Sequence, residues 1–413
     1  MNVPEPAGID RTVVIVGGGQ GGLTLAVTLR ECGWIGRIVI VDTEPGDPYQ
    51  RPPLSKGFLT GDQTHADLVT RSRELLARDS IELLAGTTVI GIDRERRTVA
   101  LDDGDPLAYD VLVLATGARP RALPLEGASA HGVHVVRTRE DAESLLSALR
   151  RAADIVIIGG GFLGLELASA AAHFGRVTVI ESAPALLGRS LSAPTARALA
   201  ARHASDGTTL LLATGVARIV SADGHATGVE LHDGREVPAD LVIVSVGAQP
   251  NLELAAAAGI ATADGIVVTG SLRTSDPAIY AIGDCANYPH PHVGEMVRLE
   301  SVQNAVDQAR HLAAALAGSG AGDVYAATPW FWSHQAGQNL QIAGIAVPSD
   351  DAVVVEENGR RLTVARVRDG LLTAVETLNS PRIHIRARKL LARGPAPADA
   401  IEGLAYDLQS TAG

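Results

Sequence analysis

The sequence predicts an α/β fold in which two separate segments each build a parallel-sheet βαβ unit. Residues 13–22 read "VVIVGGGQGG" and residues 156–166 read "VIIGGGFLGLE". In both, a β-branched run meets glycines spaced G-x-G-x-x-G and then turns apolar with helical character. In both, a second short strand follows and ends on an acid, Asp42 after the first loop and Glu181 after the second.

In the first unit "RTVVIV" reads as a buried parallel strand and "LTLAVTLRECG" as the helix after the loop. Gly17 allows the tight turn, Gly19 lets backbone amides approach a pyrophosphate, and Gly22 lets helix and strand pack closely; Gly21 lies in the same run. "RIVIV" is the next strand, and Asp42 at its end is placed to hydrogen-bond a ribose, with Thr43 and Glu44 able to share that task. The second unit repeats this grammar. "ADIVII" is the strand, Gly159, Gly161 and Gly164 form the loop, "LELASAAAHFG" is the helix, and "RVTVI" ends in Glu181. A carboxylate there favours a free 2′-hydroxyl and repels a 2′-phosphate, so NADH is expected over NADPH. The residues right after Glu181 are Ser, Ala and Pro, and the first arginine to follow is Arg189. A lone glycine loop is an ordinary turn as readily as a binding site. Two complete units imply two dinucleotides, a flavin held in place and a nicotinamide that comes and goes.

Bulk composition narrows the function classes. The chain has 413 residues, 46% of them apolar, with 44 glycines suited to many tight βα turns. Its net charge of −12 argues against general nucleic-acid or anionic-membrane binding. Two cysteines, Cys32 and Cys285, stand far apart, which excludes a disulfide framework and a thiolate metal site and fits a reducing compartment. The first residues, "MNVPEPAGIDR", lack an apolar core of signal-peptide type, and the apolar runs are strand-sized. The expectation is a soluble cytoplasmic protein.

Further stretches carry a resemblance. They are "PYQRPPLSKGFLTG" (48–61), "TGARPR" (116–121), "GGGFLGLE", "TSDPAIYAIGDCA" (274–286), "RLESVQNAVDQAR" (298–310) and "WFWSHQ" (330–335). With them the chain resembles the NADH-dependent ferredoxin reductases of the putidaredoxin-reductase type, within the FAD-dependent pyridine nucleotide-disulfide oxidoreductase superfamily. The resemblance implies a glutathione-reductase-like architecture of two Rossmann-type dinucleotide-binding domains plus a C-terminal α/β domain. The FAD-binding domain would be discontinuous, 1–115 and 247–328. The NAD-binding domain would be 116–246 and the C-terminal domain 329–413, where "RRLTVARVRDG" and "LLTAVETL" read as a hairpin.

The same resemblance assigns roles. Lys56 would lie beside the reactive edge of the isoalloxazine, where a cation stabilises reduced flavin; read by itself, it is equally a surface lysine after a Pro-Pro turn. Glu166 would pair with it. Asp284, after Gly283, would bond the ribityl chain, or else caps a loop. Val302 would open a helix facing the flavin pyrimidine, or is a buried valine, and both readings are compatible. Thr116, Gly117, Val89 and Arg137 match FAD-contacting positions, and Trp330 one near the flavin and the docking face. Phe331 reads as a core residue. The family pattern W-S-[DN]-Q has His334 in its third place, a departure that touches partner choice.

The implied partner is a small acidic [2Fe–2S] ferredoxin serving a haem-thiolate mono-oxygenase or a ring-hydroxylating dioxygenase. Arg71, Arg73 and Arg310 are candidates for its basic docking patch, and "PRIHIRARKLLARG" (381–394) is either part of it or a solvated helix face. No C-x-x-C stands in the first helix region and no cysteine near residues 40–60, so electrons would leave the flavin directly, and Cys285 reads as structural. "YPHPHVG" (288–294) reads as a loop; His290 and His292 find no third ligand nearby, and no metal is expected. Alternatives are a rubredoxin reductase, and a redox-responsive flavoprotein resembling apoptosis-inducing factor.

Overall fold

A computed structural model describes residues 11–318, 324–401 and 403. The expectations on the first ten residues and on the end of the C-terminal domain, 404–413, lie outside the described residues. The chain divides into two compact units. One takes Met1–Gln50, Ala66–Arg119 and Gln249–Ala327, and the other Arg51–His65, Pro120–Ala248 and Thr328–Gly413.

The first unit is organised by a five-stranded parallel sheet with Val13–Val16 at its centre. Ile38–Asp42 and then Ile81–Ala85 lie on one side, and Val111–Leu114 and then Ile279–Ala281 on the other. Val13, Val14 and Ile15 are fully buried, as are Ile38, Val39 and Ile40. That is why these strands read as unbroken apolar runs rather than alternating ones. The chain reverses direction across the sheet at the carboxyl end of Val13–Val16, the place where such folds bind ligands. The helix Gln20–Glu31 starts there.

The second unit repeats the arrangement. Asp154–Ile158 is central, flanked by Arg176–Ile180 and Thr209–Leu211 on one side and by Leu241–Val244 and Val133–His134 on the other. The helix Phe162–Ala171 leaves its glycine loop. The unit also holds an antiparallel sheet in the order Trp330–Gln335, Gln338–Gly344, Leu371–Leu378, Arg361–Arg368, Asp351–Asn358, with Ala396–Pro397 on Leu371–Leu378. The expected hairpin is the pair Arg361–Arg368 and Leu371–Leu378. A buried ion pair, Arg366–Glu376 at 3.0 Å, joins two strands of this sheet, and Glu376 also meets the start of the helix Ala193–Ser205. There Ser192 donates to Glu376 through its backbone N–H at 2.9 Å and its hydroxyl at 2.5 Å. The "YPHPHVG" stretch departs from its expected loop. In the first unit Ala286–His290 is a strand paired with Glu295–Val297, held by the fully buried Tyr288, and the loop is confined to the turn at 291–294.

The glycines divide into two kinds. A Cβ on Gly22 would overlap the Gly17 carbonyl, and one on Gly164 would overlap the Gly159 carbonyl; these positions pack helix against strand. A Cβ on Gly19 or Gly161 would meet nothing within 4 Å. Gly164→Ala is therefore expected to destabilise the ligand-free chain by about 3 kcal/mol, through a clash with backbone that cannot move aside. Gly161→Ala costs no more than about 1 kcal/mol as a changed N-cap. Thermal unfolding of both variants checks this, and equal melting temperatures contradict it.

Candidate functional site

Each unit presents one glycine cradle. In the first, the loop ends in Gly19 as the N-cap of Gln20–Glu31, and in the second in Gly161 as the N-cap of Phe162–Ala171. Neither N-cap has a side chain with which to take up the first-turn amides. The helices Arg139–Leu149 and Val302–Leu316 are capped instead by Thr138 and Ser301. The two glycine loops thus leave amides and open space together, which suits a pyrophosphate at the positive end of a helix. The acids sit alike. A Cβ on Gly18 would press on the Asp42 carboxylate, and one on Gly160 would press on the Glu181 side chain. Glu181 Oε2 accepts from the Gly160 amide at 2.7 Å and Oε1 from the Ala183 amide at 2.7 Å, so the carboxylate is locked at the mouth of the loop. Both cradles fit a dinucleotide.

The other expected positions of the first unit are local. A Cβ on Gly21 would make ordinary contact with Ile282 and Ala305. Thr43 is exposed, and Glu44 accepts from the Tyr49 hydroxyl at 2.5 Å. Val89 is buried at the start of Val89–Asp93. Thr116 and Gly117 are tied to Asn251, whose Nδ2 donates to the Thr116 carbonyl and whose backbone N–H donates to the Gly117 carbonyl. Gly283 has φ +77° and donates its N–H to Gln308 Oε1 at 2.7 Å. Asp284 is half-buried beside it, and Val302 opens its helix as expected. Burial raises the pKa of the Cys285 thiol, keeping it protonated, and both cysteines are free. Two of the three candidate docking arginines have carboxylate partners: Arg71 with Asp79, and Arg73 with Asp47 at 3.0 Å. Arg310 is exposed.

The second unit brings two distant segments to one carboxylate, that of Glu166. The Pro-Pro pair sits in the short helix Pro52–Ser55, with Ser55 and Lys56 at its end. Lys56 Nζ reaches Glu166 Oε2 at 2.5 Å and the Pro52 carbonyl at 3.2 Å. Ser55 Oγ donates to the same Glu166 oxygen at 2.7 Å. Ser333 Oγ donates to Glu166 Oε1 at 2.6 Å. The Glu166 side chain is 8% exposed and that of Lys56 23%, so the pair is poorly screened by water. Alternation along Trp330–Gln335 buries Ser333 and Gln335 and leaves His334 exposed. Partial burial and the Lys56 charge hold the His334 imidazole below its ordinary pKa, with Glu166 opposing.

Trp330 is half-buried, with the Arg388 guanidinium 4.0 Å from its ring centroid and Trp332 at 5.3 Å. Phe331 stacks on Phe162 at 4.5 Å, beside the second glycine loop. Arg137 accepts from Arg51 through its carbonyl at 2.7 Å and donates its N–H to Asp141. The basic stretch 381–394 forms the helix Pro381–Leu390, which buries Ile383, His384 and Ala387. Sequence reasoning missed Ser55, Ser333 and Gln335 as partners of the Lys56 site. The signal for the last two was the period-two pattern of "WFWSHQ", which puts Ser and Gln on one face. No group of three or more metal-ligating side chains occurs among the described residues, and no helix among them is long and apolar enough to cross a membrane.

Residues 11–309 match the pyridine nucleotide-disulphide oxidoreductase family, and residues 330–412 match the reductase C-terminal family. The chain is 45% identical to rhodocoxin reductase of Rhodococcus erythropolis over 383 residues, 92% of this chain and 89% of that one. It is 40% identical to a rubredoxin-NAD(+) reductase of Pseudomonas putida over 373 residues, 90% of this chain and 96% of that one. Among solved structures, the ferredoxin reductase for the CYP199A2 system from Rhodopseudomonas palustris superimposes with a TM-score of 0.92 at 38% identity, covering 98% of this chain and 100% of that one. The cradles, the acids at their mouths and these likenesses agree: the chain belongs to the pyridine nucleotide-disulphide oxidoreductase family and is an oxidoreductase that uses FAD and NAD(H).

Proposed function

We propose that the chain is an NADH-dependent ferredoxin reductase. It takes electrons from NADH through FAD to a small acidic [2Fe–2S] ferredoxin, which serves a haem-thiolate mono-oxygenase or a ring-hydroxylating dioxygenase. The observation that carries this reading is the pair of complete dinucleotide cradles in a chain whose two cysteines are remote and unpaired. FAD, when bound, supplies the step between a two-electron donor and a one-electron acceptor. The chain's residues bind, orient and set charge.

The first cradle, with Gly17, Gly19, Gly21, Gly22, Asp42, Thr43 and Glu44, is the FAD site in this reading. Val89, Thr116, Gly117, Gly283, Asp284 and Val302 of the same unit complete it, and the family resemblance adds Arg137 and Trp330 as FAD-contacting positions. The second, with Gly159, Gly161, Gly164 and Glu181, is the NADH site. Lys56 offers the flavin a compact cation, and Glu166 supplies the counter-charge that holds it in place. The domain division expected from sequence, at 115/116, 246/247 and 328/329, is retained as the functional division. Arg71, Arg73 and Arg310 remain the proposed docking cations. Arg71 and Arg73 reach a partner's acids by exchanging their present carboxylates, and Arg310 is already exposed. The likeness to a rubredoxin-NAD(+) reductase supports rubredoxin as the second candidate acceptor, separable by turnover with each purified acceptor.

Lys56→Met is expected to retain FAD and to slow flavin reduction by NADH by about 100-fold, the order of loss on removing one preorganised charge-stabilising group. An unchanged rate in rapid mixing removes Lys56 from the reaction. Glu181→Ala is expected to narrow the preference for NADH over NADPH by about tenfold, by removing a like charge from the 2′-phosphate. Steady-state kinetics with both nucleotides measure this, and an untouched ratio contradicts the account of cofactor choice.

A further inference from the structure

Behind the Lys56–Glu166 pair lies a run of buried polar side chains that neither cradle uses. Glu166 Oε1 accepts from Ser333 Oγ at 2.6 Å. Ser333 Oγ accepts from Gln335 Nε2 at 3.0 Å. Gln335 Oε1 faces His203 Nε2 at 3.1 Å. Ser333, Gln335 and His203 are 0%, 2% and 1% exposed. His203 lies near the end of the helix Ala193–Ser205, whose start is fixed by the Ser192–Glu376 bonds.

The direction of this run is forced. An ionised carboxylate only accepts, so the Ser333 hydroxyl proton points to Glu166. The Ser333 lone pairs are then what Gln335 finds, so its amide turns Nε2 towards Ser333 and Oε1 towards His203. His203 must therefore carry its proton on Nε2. Burial lowers the pKa of His203, and a neutral ring in a single tautomer meets this requirement without adding a second buried cation. Reversing any one link leaves two acceptors or two donors facing each other, at a cost that burial magnifies.

We propose that His203, Gln335 and Ser333 are positioning residues. They form a one-way chain of hydrogen bonds that ends on Glu166 and fixes the orientation of its carboxylate, and through it the Lys56 ammonium. Oε2 holds Lys56 and Ser55, while Oε1 is held by the chain. With Oε1 released, the carboxylate rotates about its last torsion and the ammonium loses its fixed acceptor. This rests on the reading of Lys56 and Glu166 given above, and it extends the site to a helix and a strand that touch neither glycine loop through these groups.

The sequence makes the test direct, because the chain has two lysines, Lys56 and Lys389. Lysine labelled at the side-chain nitrogen gives two ammonium resonances, assigned with Lys389→Arg, and hydrogen exchange of the Lys56 resonance reads how firmly it is held. The measurement is made on the FAD-loaded protein, beside the rate of flavin reduction by NADH. In Ser333→Ala and His203→Phe, Lys56 exchange is expected to rise about tenfold or more, as for loss of a hydrogen bond to a charged group. Ser333→Thr and His203→Gln, which keep the donors, restore slow exchange. Exchange unchanged in Ser333→Ala, or equally fast in the conservative pair, overturns the proposal. Faster exchange with an unchanged rate of flavin reduction supports the chain and overturns the part given to Lys56 in the reaction.

Discussion

A carboxylate removed from water must be surrounded by donors, and the environment of Glu166 follows from that requirement. Its side chain is 8% exposed and sits in the first turns of the helix that leaves the second glycine loop. The donors come from far along the chain: Lys56 lies 110 residues away and Ser333 167. Breaking a buried ion pair on one side costs about 3–5 kcal/mol, because the remaining charge is stranded. The pair therefore fixes where the segment 51–65 runs in the second unit, and the Ser333 hydrogen bond ties the strand Trp330–Gln335 to the same carboxylate. It also accounts for two polar residues, Ser333 and Gln335, at core positions of a strand.

The glycine loops obey a different constraint, one of space. The third glycine of each loop exists because a backbone carbonyl of the first occupies the place of its Cβ. The second exists because something outside the protein needs the room. Asp42 and Glu181 stand at equivalent places in the two units; Thr43, Glu44 and Pro45 follow the first, and Ser182, Ala183 and Pro184 follow the second.

Most of the parallel-sheet architecture was legible in the sequence because its signals are local. Buried strands such as Val13–Val16 and Asp154–Ile158 announce themselves as β-branched runs, and the loops by glycine spacing. Lys56 could be picked out only through the family resemblance, since a lysine after two prolines has no local mark of burial. His203, Gln335 and Ser333 were not legible as a group, because their links span 132 and 167 residues and each alone is an unremarkable polar residue. The arginines chosen as a free basic patch show the converse. Arg71 and Arg73 look unopposed in sequence, but the fold brings Asp79 and Asp47 to them. The strand Ala286–His290 was hidden by Pro289 within it and Pro291 just after it, which mark turns locally.

The central claim is that electrons from NADH cross this chain to a one-electron acceptor without a cysteine. It is tested most directly by anaerobic rapid mixing of the purified protein with NADH and then with an oxidised [2Fe–2S] ferredoxin, following the visible spectrum. The account predicts that flavin absorbance bleaches on mixing with NADH and recovers as the ferredoxin is reduced. A protein that holds no flavin after addition of FAD, or one that bleaches and never passes electrons to the ferredoxin, contradicts it.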